Sequence, residues 1–279
     1  MLWRGRRESS NVEDRRGIGG GTVAVGGGIL GVIALLVNFL LGGNGDTSQL
    51  PLPGQNEPLT TEQQAAQDSQ ARFVKVVLAE TEDVWNEIFA RNGSDYLEPR
   101  LTLFTGTTQS GCGYASAQSG PFYCPADMYV YIDLSFYDEL QHRFGAPGDF
   151  AMAYVIAHEV GHHVQKLMGK SDEMARLRQR VSDEEYNRYS VMLELQADFY
   201  AGVWAHYVSG KGLLERGDVE EALRAANAIG DDRLQKQAQG YVVPETFTHG
   251  TSAQRMYWFK KGYDTGDISQ GDTFSASDL

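Results

Sequence analysis

Ala157-His158-Glu159-Val160-Gly161-His162-His163-Val164-Gln165 is the stretch on which the reading of this chain turns. Gly145, Pro147 and Gly148 break the chain before it, so Asp149 can cap a helix that runs to about Met168 and stops at Gly169. Residues four apart share a helical face, so His158 and His162 can present both imidazoles to one ion. Glu159 projects beside them, where it can take a proton from a water on that ion. His163 is rotated by about 100° from His162 and should miss the metal. Tyr154, one turn before His158, faces the same way and is expected to line the site. Chance produces this pattern in roughly 1% of chains of similar composition, so the surroundings have to decide.

The surroundings are informative. Glu194-Leu195-Gln196-Ala197-Asp198 begins 32 residues after His162, with two carboxylates four apart on a second expected helix, Glu184 to Val208. One carboxylate can complete a three-ligand metal site, leaving a fourth position for water. The other can hold the far nitrogen of a ligand histidine and fix its tautomer. Taken alone, such a pair describes a solvated helix face. Here Ala197, Phe199, Tyr200, Ala201, Val203 and Trp204 form an apolar stretch that demands burial, and a buried carboxylate pair without a cation is costly.

Working outward, Thr61 to Asn92 lacks Gly and Pro and spaces Phe73, Val76, Val77, Val84, Trp85, Ile88 and Phe89 as a long amphipathic helix. Strands are expected at Leu101–Thr105 and Met128–Phe136, and shorter helices at Asp218–Ile229 and Ser252–Tyr263, the last capped by Ser252. Cys112 and Cys124 bracket a loop rich in Gly, Ser and Pro. In an exported domain they would pair as a disulfide; the alternative is two unrelated buried thiols. Two cysteines at this spacing make a poor metal site.

Of the 279 residues, the first 45 hold twelve of the 32 Gly and a net charge of +2, leaving −15 for the remainder of a chain that totals −13. The mean hydropathy of −0.37 averages two different pieces. Residues 18–41 carry no charge and as a helix would reach about 36 Å, enough for a ~30 Å hydrocarbon core. A cleaved signal peptide or a Gly-rich buried helix fits less well than a signal anchor. Five Arg precede the stretch and none follows closely, which places residues 1–17 in the cytoplasm and the bulk of the chain outside. Residues 42–60 have the composition of a flexible linker, and residues 61–279 read as one domain. The acidic pI of about 4.9 argues against nucleic acid as a partner.

The chain also shows Cys112-Gly113, Gly120-Pro121-Phe122-Tyr123-Cys124-Pro125-Ala126-Asp127, Val130-Tyr131-Ile132-Asp133 and His249-Gly250-Thr251-Ser252-Ala253-Gln254-Arg255, in order around the two motifs above. Together these resemble the bacterial neutral zinc metallopeptidase family over about residues 60–265. The resemblance implies a zincin-like fold, which with the anchor read above makes an α+β architecture: an N-terminal transmembrane helix and a mainly helical zincin-like domain with a small β-sheet. It implies one Zn²⁺ per chain and hydrolysis of a peptide or protein substrate. Zinc peptidases with Glu as third ligand share the order Glu then Asp, which makes His158, His162 and Glu194 the ligands and Asp198 the residue behind them. His249 is then the candidate donor to the developing oxyanion, and Arg255 the group that orients a carboxylate such as Asp198. The bland readings are a loop-packing His and a surface Arg; His142 and His206 receive no role.

By analogy of fold, the strand Met128–Phe136 is expected at a sheet edge, where an extended substrate could pair with it. The whole then reads as a single-pass enzyme of the bacterial inner membrane with its catalytic domain in the periplasm. Two other classes compete: a catalytically silent zinc-binding membrane scaffold, and an anchored assembly factor that only binds. An intact Glu159 distinguishes the enzyme, because a structural zinc site needs no base.

Overall fold

A computed structural model describes residues 1–16 and 60–276. The expected anchor at residues 18–41 and most of the linker lie outside the described residues; none of the described helices is long and apolar enough to cross a membrane. The described part is mainly helical with a small sheet.

Strand β1 (Val12–Asp14) is followed by helix α1 (Thr61–Arg91), entered through a capping box in which Thr60 and Gln63 each bond the other's backbone. The apolar positions read from the sequence, Phe73, Val76, Val77, Val84, Trp85 and Ile88, are buried. Strands β2 (Arg100–Phe104), β3 (Thr107–Ser110), β4 (Gly113–Ser116), β5 (Phe122–Cys124) and β6 (Tyr129–Asp133) follow. β3 and β4 form a separate hairpin; the main sheet has the order β1-β2-β6-β5, with β2 parallel to both β1 and β6 and β5 antiparallel to β6.

Two expectations change here. The strand expected over Met128–Phe136 ends at Asp133, whose side chain accepts the Ser135 N–H at 2.9 Å and turns the chain into a helical turn from Phe136. This strand is paired on both sides, so it cannot offer an edge to a substrate; among the described residues the free edge on that side belongs to β5. The second change concerns residues 1–17, expected apart from the domain. Val12, Glu13 and Asp14 pair with Leu101, Thr102 and Leu103, making β1 the outer strand of the domain's own sheet.

The helices are α2 (Asp149–Leu167), α3 (Lys170–Leu177), α4 (Asp183–Gly210), α5 (Asp218–Ala228), α6 (Asp231–Gln239) and α7 (Ser252–Thr265). The cap of α2 is Gly148 and that of α7 is Thr251, not the expected Asp149 and Ser252. Asp149 and Asp218 instead meet the Met1 ammonium, while Glu221 beside them accepts the Phe150 N–H. α2 is buried on almost every side, and three glycines set how closely α2, α4 and α7 approach one another. A Cβ on Gly161 would sit 3.0 Å from the Ala197 carbonyl oxygen of α4. One on Gly202 would sit 2.0 Å from the Phe259 oxygen, and one on Gly262 2.1 Å from the Phe199 oxygen, so α4 and α7 meet backbone to backbone. These contacts bring three helices, each carrying part of the site, into one layer.

Candidate metal centre

His158 and His162 project from α2 as the four-residue spacing requires, and Glu194 faces them from α4. The Glu194 carboxylate lies 3.1 Å from His158 Nε2 and 3.4 Å from His162 Nε2. Three donors about 2.0–2.1 Å from a tetrahedral ion stand about 3.3 Å from one another, so the separations suit zinc, as does a set of two imidazoles and one carboxylate. Among the described residues these three form one of two groups with metal-ligating geometry, the other being Asp149, Asp218 and Glu221 near Met1. Burial alone would raise the Glu194 pKa, but the His162 and His249 imidazoles outweigh it and hold the group well below the usual carboxylate range.

Behind the ligands stands a closed hydrogen-bond chain. Asp198 Oδ1 meets His158 Nδ1 at 2.8 Å, which leaves Nε2 for the metal. Asp198 is fully buried; it accepts from Arg255 Nε at 2.8 Å and Nη2 at 3.0 Å, and from the Tyr154 hydroxyl. Its burial is outweighed by the charges of Arg255 and His158, which bring its pKa down to about 2. The structure thus brings Asp198 and Arg255 together. Tyr154 does more than line the site, since its hydroxyl also accepts from Arg255 Nη2 at 3.2 Å.

Two further residues were not given roles by the sequence. Gln165, quoted only as part of the motif stretch, lies 2.8 Å through Oε1 from His162 Nδ1 and donates at 2.7 Å to the Leu193 carbonyl. It does for His162 what Asp198 does for His158. Asp231, at the start of α6, accepts the backbone N–H groups of Thr248, His249 and Gly250 through Oδ2 at 2.7–3.1 Å. Its Oδ1 lies 3.3 Å from His249 Nδ1, so the imidazole is held with Nε2 toward the cavity.

A cavity of about 720 Å³ opens onto the ligands and is lined also by Glu159, His249, Phe122, Phe144, Val155 and Leu234. Glu159 is 8% exposed, and its carboxylate is engaged by no hydrogen bond among the described residues; burial pushes its pKa up. His163 lies outside the group formed by His158, His162 and Glu194. It bonds the Tyr123 hydroxyl at 3.0 Å and the Leu97 carbonyl at 2.6 Å, bracing β5 against α2. Cys112 and Cys124 form a disulfide that ties the tip of the β3–β4 hairpin to β5.

Two histidines and a glutamate thus converge on one point in a His-Glu-x-x-His arrangement that could hold a metal ion. The chain belongs to the family described as "Putative neutral zinc metallopeptidase", whose match covers residues 1–274. It is 51% identical over 288 residues to "Uncharacterized protein YpfJ" of Escherichia coli K12, covering 99% of this chain and all of that one. It is 44% identical over 219 residues to "Uncharacterized protein Mb2605" of Mycobacterium bovis, covering 75% of this chain and 73% of the relative. No solved structure matches.

Proposed function

We propose that the chain is a zinc-dependent peptidase, with one ion held by His158, His162 and Glu194. A zinc ion bound there supplies Lewis acidity, polarising a peptide carbonyl and lowering the pKa of water. The other roles fall to side chains. Glu159 takes the proton of the attacking water and later returns it to the departing amine. His249 donates from Nε2 to the carbonyl oxygen as negative charge grows there, and Asp231 keeps the ring in place. Asp198 and Gln165 fix the rings of His158 and His162 through their far nitrogens. An extended substrate can add to the free edge of β5, with its side chains over the apolar wall of the cavity.

The observation that carries this reading is the position of Glu159. A buried carboxylate with no hydrogen-bond partner among the described residues, beside three candidate metal donors and facing an open cavity, has no structural role there. A structural zinc site closes its coordination sphere, whereas this one leaves an approach. The test is Glu159→Gln in the full chain, measured for zinc content and for cleavage of a denatured protein. Zinc retained with cleavage abolished is the expected result. Cleavage unchanged would remove Glu159 from the mechanism, and a wild-type protein that binds no zinc would remove the proposal itself.

A further inference from the structure

We infer that residues 1–16 are a working part of the metal-binding domain, and that they lie on the same side of any membrane as the metal centre. The inference is independent of catalysis and would stand for an inactive protein.

The first support is the sheet. β1 pairs in parallel with β2 over three residues, and the ladder is extended by Leu101 N–H to Asn11 O at 2.9 Å and Arg15 N–H to Leu103 O at 2.8 Å. Strands that share these bonds occupy one compartment. The second support is charge. Glu80 and Glu82 sit in the middle of α1 with 1% and 2% of their surface exposed. Arg6 Nε meets Glu80 at 2.6 Å, and Lys211 reaches the same carboxylate at 3.2 Å. Glu82 is met by Arg7 at 2.9 Å, Asn11 at 2.9 Å and the Ser9 hydroxyl, all from the N-terminal segment. Without residues 1–16 the Glu82 carboxylate would lose every one of these partners, and a lone buried carboxylate is strongly disfavoured.

The third support is where the segment ends. Arg16 pairs with Asp68 at 3.1 Å, near the start of α1. Asp68 lies eight residues beyond Thr60, about 12 Å along a helix. The stretch from residue 17 to residue 59 therefore leaves and rejoins the domain in one neighbourhood. An odd number of membrane crossings cannot connect two points on the same side. Four of the five arginines before residue 17 are engaged in ion pairs. Arg6, Arg7 and Arg16 hold carboxylates of α1, and Arg15 holds Glu13. Side chains neutralised within a fold do not register as free positive charge at a membrane surface.

The experiment uses the full chain in bacterial cells, with the native disulfide left intact and one cysteine added at an exposed position. Arg4→Cys reports on the N-terminal segment and Arg224→Cys, on α5, on the metal-binding domain. A membrane-impermeant maleimide is applied to intact spheroplasts and to lysed ones. The expected result is identical behaviour: both sites label before lysis, or both only after it. Labelling of one site in intact spheroplasts and of the other only after lysis would overturn the inference. A second measurement is the urea midpoint of purified full-length Arg7→Ala. It should fall below wild type; an unchanged midpoint means that residues 1–16 do not hold Glu82.

Discussion

Replacing Asp198 with Asn tests whether the metal site and the fold share one electrostatic chain. The substitution is nearly isosteric, but it leaves the Arg255 guanidinium, 2% exposed, facing a neutral amide. It also gives His158 Nδ1 and two Arg255 N–H groups a weaker acceptor. Removing one partner of a buried ion pair costs about 3–5 kcal/mol. With an m-value of about 2–3 kcal/mol per molar urea, the midpoint of the zinc-free protein should fall by about 1–2.5 M. Loss of the group that orients a ligand histidine lowers metal affinity about 10–100-fold, equivalent to about 1.4–2.7 kcal/mol. Equilibrium urea unfolding reads the first effect and competition for zinc against a chromophoric chelator the second. Tyr154→Phe removes one hydroxyl from the same cluster and should cost only about 1 kcal/mol. If Asp198→Asn unfolds at the wild-type midpoint and holds zinc as tightly, the reasoning about this cluster is refuted.

Other outcomes follow from particular contacts. His249→Ala should retain zinc and lower kcat by about 10²–10³-fold, and Asp231→Asn should lower it less; a loss of zinc in either variant would point to a structural role instead. Gly202→Ala forces α4 and α7 apart, because its Cβ would meet the Phe259 carbonyl oxygen at 2.0 Å. It should cost about 1–3 kcal/mol or more in urea unfolding and weaken zinc binding, since α7 carries Arg255. Gly210→Ala, where a Cβ meets nothing within 4 Å, is the matched control and should leave both unchanged or slightly improved. Replacing Cys112 and Cys124 together by Ser should cost about 3 kcal/mol of unfolding free energy for a loop of this length; a negligible change would mean that the hairpin is held by its other contacts.

Much of the site could be read from the sequence because its residues lie on long helices with strong periodicity. His158, Glu159 and His162 followed from spacing on α2, and the carboxylate pair Glu194 and Asp198 from the apolar run after it. The assignment of those carboxylates, and the roles of His249 and Arg255, needed the family resemblance. Asp231 was invisible because its function is to accept backbone N–H groups from residues 17 to 19 positions later. α6 itself was missed because it is almost wholly polar, with Leu234 its one large apolar residue. β1 was missed for the opposite reason to an error of pattern. Val12-Glu13-Asp14 has no alternation of apolar residues, and its charged neighbours read as a membrane flank until their partners on α1 are seen.

The order of strands in the main sheet also sets how force passes through the domain. The stretch beginning at residue 17 attaches just beyond β1, and the cavity opens beside β5. With strands about 4.8 Å apart, three steps across the sheet separate these edges by about 14 Å. Residues 17–59 join the described domain at Arg16, just beyond β1, and at Thr60, the cap of α1, so a pull on them would divide between the sheet and that helix. The sheet edge nearest the first of these joints is the one farthest from the cavity.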